Sequence, residues 1–390
     1  MKIIKPEPNL STLSVSQKEV NAARMAFFVP GFAVSTWAPM IPMVKERLSL
    51  GADVLGLLLL CIGISAFIVM PFAGMLGQKW GCKKVLFLTT TLLALDTVLL
   101  SCLPNIWTYA CALTLFGAAM GSTEVTMNLN SVIVEKLDGR RLMSGMHAFW
   151  SIGCFASAGL FSLLASQGLS VTTIASLHCA IMLAVIAYFG RSWLNYHAPG
   201  GEKSFALPKG IVIIIGILSC ISFLVEGAVM DWSGVLLTEV KHLDIALAGT
   251  GYAIFSVAML MMRLIGDKTV QLLGEQKAVI GGSLLTAAGF ALLIASNALV
   301  VNAIAFILIG IGCSNIVPVF YSILKFQKDM PISAAVTAIT SLGYTGVILG
   351  PALLGFIAHG INISAVFELL AILLVIETVI AKFVFSKLKI

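Results

Sequence analysis

Three ionisable side chains lie in or at the start of stretches of the sequence that are otherwise apolar, and their chemistry is that of proton exchange. Glu124 and Glu226 each lie inside such a stretch, and His147 begins another. A charge placed in hydrocarbon costs on the order of 3 kcal/mol, so a carboxyl group there favours a bound proton or a partner of opposite charge. A histidine can gain or lose a proton near neutral pH. We therefore predict that Glu124, Glu226 and His147 carry protons.

Each of these residues also has a structural alternative. Glu124 and Glu226 could instead form hydrogen bonds between helices and take no part in proton exchange. His147 is only one or two helical turns from the charged segment 135–141, where a loop carbonyl could bind its ring. The sequence alone leaves both alternatives open.

Polar and aromatic residues near the ionisable ones are predicted to contact a small polar molecule. Asn128 follows Glu124 by four residues, which places both side chains on one face of a helix. Trp150 follows His147 by three residues, and a tryptophan ring can stack on a sugar ring. Each of these side chains could instead serve helix packing or the membrane interface. The residues predicted to contact the solute from their position alone are Asn128, Trp150, Asp231 and Trp232.

Other kinds of chemistry find no support in the sequence. There is no HExxH, GxSxG or phosphate-binding loop, so we expect neither an enzyme nor a bound cofactor. The eight cysteines never form a CxxC pair and most lie within apolar stretches, where they serve as small packing residues rather than metal ligands. The basic residues lie in short loops rather than in one stripe, which argues against nucleic-acid binding.

The elements that must position these residues are membrane helices. Hydrophobic residues make up 59% of the chain, charged residues only 11%, and the mean hydropathy is +1.03. A membrane-spanning helix needs about 20 mainly apolar residues. Twelve stretches meet that rule, at residues 20–43, 54–77, 84–103, 106–134, 143–166, 171–193, 210–238, 246–270, 278–296, 298–325, 332–359 and 362–385. The fold class predicted is an all-α integral membrane protein with twelve transmembrane helices.

The distribution of basic residues predicts the orientation of these helices. With the N-terminus placed in the cytoplasm, only Lys45, Arg47 and Lys241 of the 24 basic residues fall in outer loops. Cytoplasmic loops carry an excess of lysine and arginine. We therefore predict that both termini are cytoplasmic, in a multi-pass protein of the bacterial inner membrane.

Two halves of the sequence repeat each other on either side of the longest loop, residues 194–209. The repeated motifs lie at equivalent places in the two halves. They are Gln78-x-x-Gly81-x-x-Lys84 with Gln271-x-x-Gly274-x-x-Lys277, and Ser151-Ile152-Gly153 with Ser341-Leu342-Gly343. Internal repeats of this kind are typical of transporters. The predicted domains are two pseudo-symmetric six-helix bundles, residues 1–193 and 210–390, joined by a cytoplasmic linker at 194–209.

The loop after the second predicted span resembles a motif of the major facilitator superfamily. The residues Gly74 to Lys84 read GMLGQKWGCKK, similar to the family pattern G-x-L-x-D-R-x-G-R-K/R. Gln78 stands where the family has aspartate, and Cys82 stands where it usually has a basic residue. The second half keeps more of the charged residues of this pattern, since Arg263 and Asp267 precede Gly274. The resemblance implies a gating motif made of Gly74, Gln78, Lys79, Gly81, Lys83, Arg263 and Asp267.

Two further segments resemble one branch of that superfamily, the YbjJ/MosC-like carriers. They are Met127-Asn128 with Glu135-Lys136 and Met143–His147, and Glu226–Trp232. The family's cavity is lined by helices that hold Trp37, Asn315 and Tyr344 here, so the resemblance implies that these residues contact the solute. It also implies that Asp96 and Glu377, on helices outside the cavity, have structural or lipid-boundary roles.

The resemblance implies a transporter that works by alternating access, as a monomer in the lipid bilayer. We expect proton-coupled symport of a small polar solute, sugar-like or polyol-like. One alternative is proton antiport that expels amphipathic compounds or drugs, which the many Met, Phe and Gly residues would suit. A second alternative is a membrane sensor or scaffold that transports nothing, although the chain has no sizeable soluble domain.

Overall fold

The computed structural model describes residues 15–49, 52–196, 207–244 and 247–390, and the regular structure of these residues is helical throughout. The first helices are α1 Gln17–Trp37, α2 Met40–Arg47, α3 Ala52–Trp80, α4 Cys82–Cys102, α5 Ile106–Asp138, α6 Met143–Ser166 and α7 Val171–Phe189. The later helices are α8 Ile211–Val235, α9 Thr250–Leu273, α10 Glu275–Ala295, α11 Leu299–Cys313, α12 Ile316–Ile323, α13 Ile332–Gly360 and α14 Ile363–Leu388.

Two of the predicted spans are broken in the structure. The first is divided into α1 and α2, and Pro39 lies at the junction. The tenth is divided into α11 and α12, with Ser314 and Asn315 between them. Interrupted helices expose backbone groups that are tolerated at membrane depth only where protein or a cavity surrounds them.

Nine helical segments in the described part of the chain are long and apolar enough to cross a membrane. The predicted spans at 20–43, 106–134 and 246–270 correspond to α1, α5 and α9, which are helical but are not among the nine. Each of these three helices carries several charged residues. The prediction of a helical membrane protein is confirmed, and the count of twelve crossings stays a prediction.

Side chains at the helix ends explain where several helices begin. Ser16 and Glu19 form a reciprocal capping box at the start of α1. The side-chain oxygen of Asn105 accepts hydrogen bonds from the backbone N–H groups of Trp107 and Thr108 at the start of α5, at 3.1 and 3.0 Å. Such caps satisfy backbone donors that have no partner within the helix.

The first repeated motif produces the same backbone turn in both halves of the sequence. Gly81 separates α3 from α4 with φ 90°, and Gly274 separates α9 from α10 with φ 81°. This left-handed region favours glycine, because a Cβ atom would clash there. The repeat therefore encodes a sharp junction between consecutive helices.

The second repeated motif lies where two helices cross with their backbones in contact. A Cβ atom on Gly153 of α6 would lie 2.3 Å from the carbonyl oxygen of Phe28 on α1. Similarly, a Cβ atom on Gly346 of α13, three residues after the repeated Gly343, would lie 2.3 Å from the carbonyl oxygen of Cys220 on α8. Glycines in these positions let the helix pairs α1–α6 and α8–α13 approach closely.

The helices form two compact units. The first comprises residues up to Leu142 together with Phe149–Leu207 and Ile332–Thr337. The second comprises Met143–Ala148, Pro208–Pro331 and Ala338–Ile390, and its apolar core includes Phe255, Phe290, Phe306 and Phe367. The predicted linker lies mostly outside the described residues, which omit 197–206, and the division at 193 and 210 stays a prediction.

Candidate functional site

The middle of α5 holds a polar cluster that is closed off from solvent. All residues from Ala119 to Glu135 are buried. Glycines explain how α5 comes so close to α3: a Cβ atom on Gly121 would lie 2.5 Å from the carbonyl oxygen of Ala66. Because the helix backbones nearly touch, the polar side chains of α5 are held in a narrow, dry environment.

Glu124 and Asn128 contact each other in this cluster, as their spacing predicts. The Asn128 amide donates hydrogen bonds to the Glu124 backbone carbonyl at 2.9 Å and to its Oε2 atom at 3.3 Å. Glu124 is 8% exposed, and no basic side chain of the described residues pairs with it. A buried carboxyl group without a cation favours its neutral, protonated form.

Two neighbours of this pair lack hydrogen-bond partners although they are buried. Both polar atoms of the Asn130 side chain and the Ser131 hydroxyl have none in the described part of the chain. The Oδ1 atom of Asn128 has none either. Buried polar groups are usually satisfied, so these atoms are free to bind a polar ligand or water.

Glu226 has a different environment, since it forms an ion pair with Arg263. The Arg263 Nη2 atom lies 3.2 and 3.4 Å from the two carboxylate oxygens, and Nε donates to the Ser314 carbonyl at 3.0 Å. The side chains are 6% exposed for Arg263 and 18% for Glu226. The structure thus joins a residue predicted to carry protons with one predicted to belong to the gating motif.

Asp267, which was also assigned to the gating motif, binds the first turn of α6. Its carboxylate accepts a hydrogen bond of 3.0 Å from the backbone N–H of Gly145. An anion at a helix N-terminus is stabilised by the unsatisfied N–H groups and the helix dipole. A Cβ atom on the adjacent Gly266 would lie 2.2 Å from Oδ1 of Asn315 and 2.6 Å from Cβ of Ser144, so only glycine fits here.

The rest of the motif lies around α3 and α4. Gly74 faces Thr337 of α13, whose hydroxyl would lie 2.3 Å from a Cβ atom at that position. Lys83 donates a hydrogen bond to the Arg191 carbonyl, while Lys79 is exposed. The side chain of Gln78 lies outside the described residues.

The other residues predicted to carry protons or to contact the solute are spread over several helices. His147 is buried, and its ring centroid lies 5.9 Å from that of Tyr321. Trp37 is buried against Tyr109, with centroids 5.8 Å apart. Asn315 is buried, and its amide donates to the Ser314 hydroxyl at 3.0 Å.

The last four predicted contacts differ in exposure. Trp150 and Tyr344 are half-buried, and Asp231 is exposed. The indole Nε1 of Trp232 is buried without a partner in the described part of the chain. That these residues of α6, α8 and α13 contact a solute stays a prediction.

The structure also reveals a buried polar cluster that the sequence reasoning missed. The Nδ1 atom of His178 on α7 lies 2.9 Å from the Thr36 hydroxyl and 3.4 Å from the Ser157 hydroxyl, and those hydroxyls are 2.9 Å apart. All three side chains are fully buried. His178 lies inside an apolar span, so the rule that drew attention to Glu124 would have found it.

The two acids predicted to have structural or lipid-boundary roles both face the protein interior. Asp96 is 1% exposed and Glu377 is 0% exposed. Neither oxygen of Asp96 has a hydrogen-bond partner in the described residues, whereas Oε1 of Glu377 lies 2.9 Å from the Ser222 hydroxyl oxygen. A position at the lipid boundary is therefore wrong for both residues.

The described residues form a helical membrane protein with acidic side chains buried between its helices. The E. coli fucose:proton symporter FucP has a similar solved structure, with a TM-score of 0.76 at 14% identity over 94% of this chain and 98% of that one. At this identity the likeness concerns the fold alone.

Sequence comparison places the chain in a family. The pattern of the Major Facilitator Superfamily matches residues 25–325, and the chain belongs to this family. An uncharacterised MFS-type transporter of Yersinia pestis is 41% identical over 90% of this chain and 92% of its own length. The membrane protein MosC of Rhizobium meliloti is 27% identical over 88% of this chain and 85% of its own. The predicted resemblance is confirmed.

Proposed function

We propose that the chain is a proton-coupled symporter that moves a small polar solute, sugar-like or polyol-like, across the bacterial inner membrane. Two six-helix bundles, residues 1–193 and 210–390, are joined by the segment 194–209 and work by alternating access. The helices cross the membrane twelve times, both termini are cytoplasmic and the protein acts as a monomer. The symporter named among the structural relatives couples a sugar to protons, which supports this class of cargo and coupling.

The observation that carries the proposal is the isolation of Glu124. This carboxyl group is buried, and Asn128 is its hydrogen-bond partner in the described residues. With no basic side chain of the described residues paired with it, the group holds a proton when dry and loses it when water enters. That change accompanies alternating access, so proton binding at Glu124 is coupled to the orientation of the site.

The ion pair of Glu226 assigns it a different role. Arg263 neutralises its charge, so Glu226 can stay ionised inside the protein. Glu226 can accept a proton only after its ion pair with Arg263 has separated. Glu124 is therefore the first choice for proton exchange with the solvent, and the Glu226–Arg263 pair is a switch that changes state later in the cycle.

Asn128 is the first choice for solute contact. Its Nδ2 atom is engaged by Glu124, whereas its Oδ1 atom has no partner in the described part of the chain. A solute hydroxyl group can donate a hydrogen bond to Oδ1 of Asn128 while Glu124, one helical turn away, gains or loses its proton. The two events are thus linked through a single hydrogen-bonded pair.

The test begins with a search for the cargo. The purified protein is heated with sugars, polyols, amino acids and drugs at two pH values, and a compound that raises the melting temperature is carried forward. Its uptake is then measured in proteoliposomes with an imposed proton gradient. We expect wild-type protein to accumulate it, and Glu124→Gln to lose accumulation while keeping exchange of labelled for unlabelled compound.

Glu368→Gln is the matched control, because Glu368 is an exposed carboxylate on α14. It should accumulate the compound normally. Full accumulation by Glu124→Gln would overturn the role of Glu124. Release of protons when the compound is added to energised inverted vesicles would replace symport by antiport.

A further inference from the structure

A second isolated carboxyl group lies in the other unit, on the last helix. Glu377 of α14 is 0% exposed, and α14 packs against α8 and α10. No lysine, arginine or histidine of the described residues forms a hydrogen bond or an ion pair with it. Like Glu124, it is a carboxyl group enclosed by helices, and one side chain of the described residues forms a hydrogen bond with it.

The hydrogen bonds around Glu377 are best satisfied when it is protonated. The Ser222 hydroxyl oxygen lies 2.9 Å from Glu377 Oε1 and 3.1 Å from the Leu218 carbonyl oxygen. Ser222 has one hydroxyl hydrogen, so it can donate to only one of them. If Glu377 carries a proton, it donates to Ser222, and Ser222 donates to Leu218. If Glu377 is ionised, the buried charge accepts at most one hydrogen bond, because Oε2 has no partner.

The same serine connects Glu377 with the face of α8 that holds Glu226. Ser222 and Glu226 are four residues apart on this helix, so their side chains are neighbours, with Cβ atoms about 6 Å apart. The thiol of Cys313 on α11 interacts electrostatically with both carboxyl groups and with Arg263. The Ser222 hydroxyl therefore lies within hydrogen-bond distance of Glu377 and on the same face of α8 as Glu226.

We propose that Glu377 is a second protonation site of the carrier, which exchanges its proton with Glu226 through Ser222. When Arg263 moves away from Glu226, the O–H bond of Glu377 breaks and its proton passes to the Ser222 oxygen. Ser222 passes its own hydrogen on, and a new O–H bond forms at Glu226. The negative charge thereby moves from Glu226 to Glu377, and Ser222 then donates to the Glu377 carboxylate. The use of this exchange in transport rests on the proposed function.

The test does not require the cargo. Infrared spectra of the purified protein in lipid record the carbonyl stretch of each protonated carboxyl group. We expect the difference between wild type and Glu377→Gln to contain one carboxylic-acid band, and that band to shift when the lipid film is exposed to D₂O. Glu368→Gln, at an exposed position on the same helix, should leave that acid band unchanged.

Ser222→Ala gives a second, independent measurement. It leaves the acid in place, so the band should remain, move to the frequency of a carboxyl group that lacks a hydrogen bond, and exchange with deuterium more slowly. This variant also serves if Glu377→Gln does not fold.

Two results would overturn the proposal. Absence of an acid band assigned to Glu377 would mean that the group is ionised. A band that never exchanges with deuterium, or that exchanges equally fast in Ser222→Ala, would mean a purely structural acid. Failure of the proposed function is seen separately, in the band and the uptake of Glu124→Gln.

Discussion

Removing one member of the Glu226–Arg263 ion pair is expected to cost far more stability than removing both. At an N–O distance of 3.2 Å, two unit charges attract each other by about 5 kcal/mol at an effective dielectric constant of about 20. Both side chains are largely buried, so loss of one partner leaves the other charged and poorly solvated. Arg263→Met or Glu226→Met alone should lower the free energy of unfolding by about 3–5 kcal/mol.

The double variant separates this penalty from the value of the contact. With both charges gone and two side chains of similar volume in place, stability should return to within about 2 kcal/mol of wild type. Arg263→Met should be somewhat worse than Glu226→Met, because it also deprives the Ser314 carbonyl of its donor. Lys268→Met, an exposed charge on the same helix, is the control and should change little.

Unfolding in mixed micelles with increasing SDS, followed by circular dichroism, measures these free energies. The same four proteins can be compared by thermal unfolding with a thiol-reactive dye, since Cys82, Cys179 and Cys313 are buried in the folded state. Strictly additive losses in the double variant would refute the conclusion that the two charges stabilise each other inside the protein.

Three further changes test other features of the fold. Gly31→Ala would place a Cβ atom 2.3 Å from a backbone carbonyl of α6 and should cost about 1–3 kcal/mol in thermal unfolding, whereas Gly159→Ala, with open space around it, should be neutral or stabilising. Lys241→Met loses three hydrogen bonds to the end of α10 and should cost about 2 kcal/mol by SDS unfolding. The Arg140 side chain, through a hydrogen bond and its charge, holds the pKa of Asp138 below its ordinary value. This contact therefore stabilises the protein fully at pH values above the pKa of Asp138 in the unfolded chain. The stabilisation is lost as the pH falls through the lower pKa that Asp138 has in the folded protein. Asp138→Asn should therefore flatten the acid side of the melting-temperature profile, and an unchanged profile would show that the contact contributes nothing.

The amino-acid sequence predicted those features of the fold that depend on residues close together in the chain. Long apolar stretches predicted the helices, and the repeated Gly81 and Gly274 occupy matching left-handed junctions. Spacing of four residues also placed Asn128 against Glu124. These features depend only on neighbours in sequence or on the period of one helix.

Contacts between distant residues could not be predicted in the same way. Glu226 and Arg263 were given separate roles because nothing in their spacing shows that α8 and α9 bring them together. Glu377 was given a structural or lipid-boundary role from its helix alone, and the rotation of α14 turns it inward toward Ser222. Helix rotation is set by packing against neighbours, which a single sequence with little hydrophobic periodicity does not record.

The backbones of α1 and α6 are in contact at Gly153, which fixes the shortest distance between the two helices. No side chain separates the helices at Gly153, so their spacing there cannot shrink, and any relative tilt must turn about that point. Gly145 lies eight residues away, about 12 Å along the helix. A tilt of about 10° would therefore move Gly145 through about 2.1 Å, which is enough to separate its N–H group from Asp267. A small rotation at a fixed glycine contact can in this way open a hydrogen bond two turns away.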